Sequence, residues 1–111
     1  MLDLSKCNLT DGRAYSCLKE VRRHRKIRGL KLCKNHLTNG GFEKLIDVLG
    51  STSNLNLSHN KYTEEILNVI LKNRDKLSPL RIINISANLL NEKKVKNKVE
   101  ALKKIGIIVT L

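Results

Sequence analysis

Residues 55–62 of the chain read LNLSHNKY, and this stretch decides the fold because near copies of it recur along the sequence. Each copy follows the pattern LxLxx(N/C)x(L/Y), with Ile allowed in place of Leu. The copies are LDLSKCNL (2–9), LKLCKNHL (30–37), LNLSHNKY (55–62) and INISANLL (83–90). Their starts are 28, 25 and 28 residues apart, and four matches at a nearly constant spacing indicate an internal repeat.

Each copy predicts a strand, and each interval between copies predicts a helix. The LxL triplet alternates with a period of two, so its outer residues face one side of a strand and its middle residue faces the other. Between the copies, apolar residues recur at helical spacing. These stretches lie at residues 14–21, 42–49, 66–70 and 95–102. With a final strand at residues 107–111, the sequence predicts one α/β domain, residues 1–111, with five parallel strands and four helices.

The sixth position of the pattern is predicted to be structural. It holds Asn35, Asn60 and Asn88 in the last three copies and Cys7 in the first. An asparagine amide can bond backbone groups in the loop where the chain leaves a strand, where no sheet ladder reaches them. Cysteine is a small residue that is often buried, so Cys7 is predicted to be a core residue rather than a reactive thiol.

The long repeats, the exchange of Cys7 for Asn35 and the segment NHLTNGG (35–41) before a helix resemble leucine-rich repeats of the ribonuclease-inhibitor type. The resemblance covers practically the whole chain. It implies a leucine-rich-repeat solenoid of four strand-loop-helix repeats plus a final strand, with the parallel sheet concave and the helices convex. It also implies a role in protein–protein recognition. The loop glycine Gly41 has no counterpart in the third and fourth repeats, which leaves their loop-to-helix geometry open.

The chain is strongly basic, with 22 Lys and Arg against 10 Asp and Glu and a formal net charge of +12. This charge favours acidic partners, whether protein, nucleic acid or anionic lipid. We name two groups of basic residues. The arginine cluster is Arg22, Arg23, His24, Arg25, Lys26 and Arg28, and the lysine cluster is Lys93, Lys94, Lys96, Lys98, Lys103 and Lys104. Cations also favour helix C-termini, but the rigid fork of arginine suits phosphate and carboxylate recognition.

The open face of the predicted sheet offers a second surface. Its outward residues are expected to be Asp3, Ser5, Lys31, Cys33, Asn56, Ser58, Asn84, Ser86 and Thr110. This face is small and polar, and it lacks the aromatic or Arg residues that usually dominate binding energy. At roughly 200 Å² it is also smaller than the ~800 Å² of a standard interface, so loops or helices must contribute. The predicted partner-binding residues are Arg22, Arg23, Arg25, Arg28, Lys31, Asn56 and Asn84.

These features predict a non-catalytic protein-interaction or scaffold module that favours an acidic protein partner. RNA binding through the basic clusters is the alternative, although Phe42 and Tyr62 are predicted to be buried, which leaves Tyr15 as the only stacking platform. No motif of a hydrolase, metalloprotease, P-loop or dinucleotide-binding enzyme is present. The sequence therefore predicts no catalytic residue, no metal site and no cofactor.

The remaining sequence features concern location and assembly. An odd number of cysteines, three, with no CxxC spacing predicts reduced thiols in an intracellular and cytoplasmic protein. No apolar run approaches the ~18 residues of a membrane span. Neither sheet edge has an evident capping segment, so the sequence predicts either a fragment of a longer array or neighbouring subunits at the open edges.

Overall fold

The computed structural model describes residues 1–111, in which five strands and four helices alternate. The strands are β1 (Leu2–Asp3), β2 (Gly29–Lys31), β3 (Asn54–Asn56), β4 (Ile82–Asn84) and β5 (Ile108–Thr110). The helices are α1 (Asp11–Arg22), α2 (Asn39–Ile46), α3 (Glu65–Lys72) and α4 (Glu92–Lys104). The strands form one parallel sheet in the order β1-β2-β3-β4-β5. This confirms the predicted α/β fold with its five parallel strands and four helices.

The strands are aligned in the phase that the repeat predicts. Leu2, Leu30, Leu55, Ile83 and Val109 lie side by side across the sheet. The first four are the first residues of the four copies, so the 25-residue spacing between the second and third copies does not shift the register. The shorter interval is absorbed outside the strands.

The turn after each strand repeats as well. The residue before the sixth pattern position has a left-handed backbone in every copy, with φ of 58° at Lys6, 56° at Lys34, 56° at His59 and 55° at Ala87. None of these residues is glycine, although non-glycine residues adopt this conformation uncommonly. The same turn therefore forms four times regardless of the side chain that occupies it.

One hydrophobic core of 24 buried residues fills the space between the sheet and the helices. Leu30 and Leu32, the outer residues of one LxL triplet, are fully buried. Phe42 and Tyr62 are also fully buried, as predicted, and their rings meet edge to face at 5.9 Å between centroids. Neighbouring helices pack against each other in sequence order, so the opposite face of the sheet is left uncovered.

The asparagines of the sixth position join each repeat to the one before it. The Asn35 Oδ1 atom accepts the N–H groups of Cys7 (3.1 Å) and Leu9 (2.9 Å), and its Nδ2 atom donates to the Leu4 carbonyl (3.1 Å). Asn60 and Asn88 make matching bonds to the second and third copies. We call this series of bonds the asparagine ladder. It supports the prediction that these asparagines are structural.

Cys7 occupies the corresponding position in the first copy, but it is exposed. The prediction of a core cysteine is therefore wrong. The ladder bonds of Asn35, Asn60 and Asn88 run backward to the preceding strand and turn, whereas Cys7 makes no such bond. Its Sγ atom instead lies 3.3 Å from the carbonyl oxygen of Ser5.

A second ladder joins the helix starts. The Asp11 carboxylate accepts from the backbone N–H (3.0 Å) and hydroxyl (2.7 Å) of Thr38, the N-cap of α2. One repeat later, the Asn39 Oδ1 atom accepts the backbone N–H of Thr63 (3.2 Å), and the Asn39 Nδ2 atom donates to the Thr63 hydroxyl oxygen. The third repeat thus keeps this contact without a loop glycine. Its residue at the position of Gly41 is Ile66, which is fully buried in the core.

The hydroxyl of Tyr62 is the one buried side-chain polar atom without a hydrogen-bond partner. Burial, with a smaller contribution from the Asp11 charge, raises the pKa of this phenol. Because the folded pKa lies above the unfolded value of about 10, the phenol's contribution to stability is complete below that pH and is lost progressively as the pH rises above it. The group therefore favours unfolding in alkali.

Tyr62→Phe removes this hydroxyl while it keeps the aromatic contact with Phe42. We expect the variant to gain about 1 kcal/mol at pH 7, since an unsatisfied polar group leaves the core. The gain should grow at pH 11. Urea unfolding at both pH values measures it, with Tyr15→Phe as the surface control. A loss of more than about 1 kcal/mol at pH 7 would show that the hydroxyl has a partner.

Candidate interaction surfaces

The arginine cluster lies where α1 ends. The last residue of α1 is Arg22, and Arg23 is its C-cap. The cluster's side chains are exposed, whereas Ile27 is only 2% exposed and anchors the turn to the core. The cations are therefore carried on a turn whose position the core fixes, as the sequence predicted for this segment.

Three members of the cluster already have partners in the protein. The Arg22 Nη1 atom donates to the carbonyl oxygen of Asp47, the C-cap of α2, so Arg22 caps the neighbouring helix. Arg23 and His24 each lie 3.4 Å from the Glu20 carboxylate. Both pairs are exposed, and exposed ion pairs contribute only about 0–1 kcal/mol. Only the Arg22 contact joins two repeats.

The side chains of Arg25, Lys26 and Arg28 make no hydrogen bond or salt bridge within the protein. Two of them line a cleft of about 260 Å³, which we name the Arg25 cleft. Its lining is Arg22, Arg25, Lys26, Ile27, Val48, Gly50 and Ser51. Every charged residue of this lining is a cation. The turns that follow α1 and α2 therefore combine to form a basic cleft without an acidic group.

A second cleft, the Tyr15 cleft, has a volume of about 280 Å³ and shares Arg22 and Val48 with the first. Its other lining residues are Tyr15, Lys19, Arg23 and Asp47. The Nζ atoms of Lys44 and Lys19 lie 4.7 Å and 5.9 Å from the centroid of the Tyr15 ring. The aromatic ring predicted as a stacking platform is partly buried against the core and already contacts two lysines, each at cation–π distance.

The sheet brings Lys31, Asn56 and Asn84 together in one row, because they pair directly in register. The Oδ1 atom of Asn56 accepts the Ser58 N–H (3.0 Å), and that of Asn84 accepts the Ser86 N–H (2.9 Å) and hydroxyl (2.8 Å). The carbonyl oxygens of both amides are thus engaged, while their Nδ2 atoms make no hydrogen bond. Together with the Lys31 ammonium group, this row offers hydrogen-bond donors to a partner.

The open face differs from its predicted composition in two respects. Ser58 is only 7% exposed, so it contributes little to this face. Ile82 and Ile108, which pair across β4 and β5, are 41% and 58% exposed and share this face with the polar row. The sequence pattern missed Ile82 because β4 begins one residue before its LxL triplet, and Ile108 lies in the final strand, which has no such triplet. The face is therefore polar at its centre and aliphatic at the β5 edge.

The lysine cluster lies on α4, and one of its members is paired. The Lys98 Nζ atom lies 3.6 Å from Glu65 on α3. A hydrogen bond from Asn68, together with the Lys98 charge, lowers the pKa of the Glu65 carboxyl. Beside this helix, a cavity of about 620 Å³ adjoins the free edge of the sheet, and Leu90, Val95, Val99 and Leu111 supply most of its apolar lining.

No three His, Cys, Asp or Glu side chains converge in a way that could hold a metal ion. None of the helices has both the length and the apolar composition needed to cross a membrane. Comparison with protein-family models and with curated proteins finds no match to this chain.

Proposed function

We propose that the chain is a leucine-rich-repeat solenoid of the ribonuclease-inhibitor type that serves as a non-catalytic scaffold and binds an acidic segment of a protein partner. Three features support the repeat assignment: the constant strand register, the four left-handed turns and the asparagine ladder. In such an array each repeat covers the core of the one before it. The surface residues are then free to vary with the partner.

The Arg25 cleft carries the proposal for the partner. Arg25 and Lys26 line it and have no acidic partner in the protein, and Arg22 is held in place by the Asp47 carbonyl. Clefts lined by charges of one sign raise the local concentration of oppositely charged ligands. Arginine also forms paired, charge-assisted hydrogen bonds with carboxylates. An acidic protein segment is the ligand that matches this cleft.

The row of Lys31, Asn56 and Asn84 provides a second contact. Its free donors suit carboxylate and carbonyl oxygens, since the asparagine acceptors are already engaged by Ser58 and Ser86. A partner that presents acidic or carbonyl groups would therefore accept hydrogen bonds from both the Arg25 cleft and this row. The row alone is small, so we assign the larger part of the binding energy to the Arg25 cleft.

A matched pair of variants tests the proposal. The probe is a fluorescein-labelled peptide of alternating Gly and Glu, measured by anisotropy at near-physiological salt. We expect Arg25→Gln/Lys26→Gln/Arg28→Gln to weaken binding at least about tenfold, because three unpaired cations of the arginine cluster are lost and two of them line the cleft. Lys93→Gln/Lys103→Gln/Lys104→Gln removes the same charge elsewhere and should change affinity about twofold, through long-range electrostatics alone. Equal losses in the two variants would contradict a specific site.

RNA binding is the second candidate function, and the Tyr15 cleft is the observation that favours it. The cleft combines one aromatic ring with the cations Lys19, Arg22 and Arg23. Stacking on such a ring contributes about 1–3 kcal/mol per base. A labelled single-stranded RNA that binds more tightly than the acidic peptide, and that is weakened by Tyr15→Leu, would support RNA over protein as the partner.

A further inference from the structure

We propose that the Arg25 cleft is a phosphate-binding site and that the acidic partner segment carries a phosphorylated serine or threonine at this point. This inference rests on the proposed function, because it names the chemistry of the partner at the same cleft. The phosphate site depends on more than the net positive charge of the cleft. It requires the cleft to distinguish a phosphate group from the carboxylates beside it.

The positive charge of the cleft is complementary to a ligand group with two negative charges. Arg22, Arg25 and Lys26 contribute three positive charges, and no carboxylate lies among the lining residues. Asp47 lines only the neighbouring Tyr15 cleft. Its backbone carbonyl oxygen, not its carboxylate, accepts the hydrogen bond from Arg22. A glutamate brings one negative charge, whereas a phosphoserine brings about 1.5 to 2 at neutral pH. The phosphate group therefore matches the three cations more closely.

The hydrogen-bond donors also suit three acceptor oxygens. A guanidinium group has five N–H donors. Within the protein, Arg22 uses only one terminal nitrogen, Nη1, in a hydrogen bond to the Asp47 carbonyl oxygen. That bond restricts the motion of Arg22, so less entropy is lost when a ligand binds. Ser51 lines the same cleft, and its hydroxyl makes no hydrogen bond within the protein. Arg22, Ser51 and the two free cations thus supply the cleft with several donors for the oxygens of a phosphate.

The size of the cleft fits a side chain rather than a single ion. Its volume of about 260 Å³ is several times the ~30 Å³ that one water molecule occupies in the liquid. The buried residues Ile27 and Val48 form the apolar floor of the cleft. The adjoining Tyr15 cleft, with Lys19 and Arg23, lies where a neighbouring acidic residue of the same segment would bind.

The test uses three labelled peptides that differ only at the central residue of a Gly-Glu repeat, which is Ser, Glu or phosphoserine. We expect the wild-type protein to bind the phosphoserine peptide about tenfold more tightly than the Glu peptide, as charge-assisted bonds to phosphate are stronger and more numerous. Arg25→Gln/Lys26→Gln should abolish this preference, and Ser51→Ala should reduce it. Lys103→Gln/Lys104→Gln, the control with the same charge change, should leave it intact.

The outcomes separate the two proposals. Equal affinity for the phosphoserine and Glu peptides, with weaker binding in Arg25→Gln/Lys26→Gln, would overturn the phosphate site but leave the acidic-segment function standing. No binding of any of the three peptides would overturn both. Because Arg25 and Lys26 are exposed and unpaired, their variants should keep the wild-type circular dichroism spectrum, so a loss of preference can be assigned to the cleft.

Discussion

Replacing Asn60 by Ala is expected to lower the free energy of unfolding by about 3–5 kcal/mol, which is a large part of the roughly 5–15 kcal/mol that holds a typical domain folded. The buried Asn60 amide donates to the carbonyl oxygens of Leu32 (2.9 Å), Leu57 (3.1 Å) and Ser58 (3.2 Å). Its Oδ1 atom accepts the Leu37 N–H (3.0 Å). Alanine leaves the buried Leu37 N–H without a partner and removes one of the two hydrogen bonds that each of the three carbonyl oxygens accepts, so the loss exceeds that of an ordinary polar truncation.

Two further variants separate the asparagine ladder from the size of the side chain. Asn60→Asp keeps the volume but replaces the donor by an oxygen that faces carbonyl groups, so it should be at least as destabilising as Asn60→Ala. Asn54→Ala removes an exposed asparagine whose side chain makes no hydrogen bond, and it should stay within about 0.5 kcal/mol of the wild type. Urea unfolding followed by circular dichroism measures all three. A loss below about 1 kcal/mol for Asn60→Ala would contradict the ladder.

Gly41→Ala is expected to destabilise the protein by about 1–3 kcal/mol, although alanine is normally the better helix former. Gly41 lies within α2, where a Cβ atom would stand 2.1 Å from Cγ and 2.2 Å from Cβ of Asp11. The Asp11 Cβ atom is bound to its own backbone, so a rotamer change cannot relieve this overlap. The helix starts must separate, and the bonds between Asp11 and Thr38 weaken.

The adjacent glycine is a matched control for this substitution. A Cβ atom at Gly40 would meet nothing nearer than the Thr38 hydroxyl at 3.7 Å. Gly40→Ala should therefore gain about 0.5–1 kcal/mol from helix propensity alone. Thermal unfolding of the two variants should shift the midpoint in opposite directions. A stabilised Gly41→Ala would show that Asp11 does not pack on this position.

The sequence predicts the repeat phase and the helices well, because both depend on periodicity. The LxL triplets place Leu30 and Leu32 in the core, and the helical spacing places Phe42 there as well. The wrong predictions concern residues whose burial depends on contacts with a neighbouring repeat. Cys7 is exposed, whereas the asparagines at the same position bond to the preceding strand. The sequence of one repeat does not show in which direction these bonds run.

The candidate site shows the same limit. The arginine cluster is visible as a run of charges, but the role of Arg22 depends on the Asp47 carbonyl, 25 residues away in the chain. The Arg25 cleft likewise needs Gly50 and Ser51 from the turn after the next helix. Because Arg22 also caps α2, variants of Arg25 and Lys26 test binding without removing a contact that supports the fold.

Mapping the bound peptide by amide chemical shifts tests the central claim most directly. In a titration of the ¹⁵N-labelled protein with the labelled Gly-Glu peptide, shifts should concentrate at residues 22–28 and at Gly50 and Ser51, which form the Arg25 cleft. Smaller shifts are expected at Lys31 and its row. Shifts confined to the lysine cluster on α4, or spread evenly over the basic surface, would contradict a built site for an acidic segment.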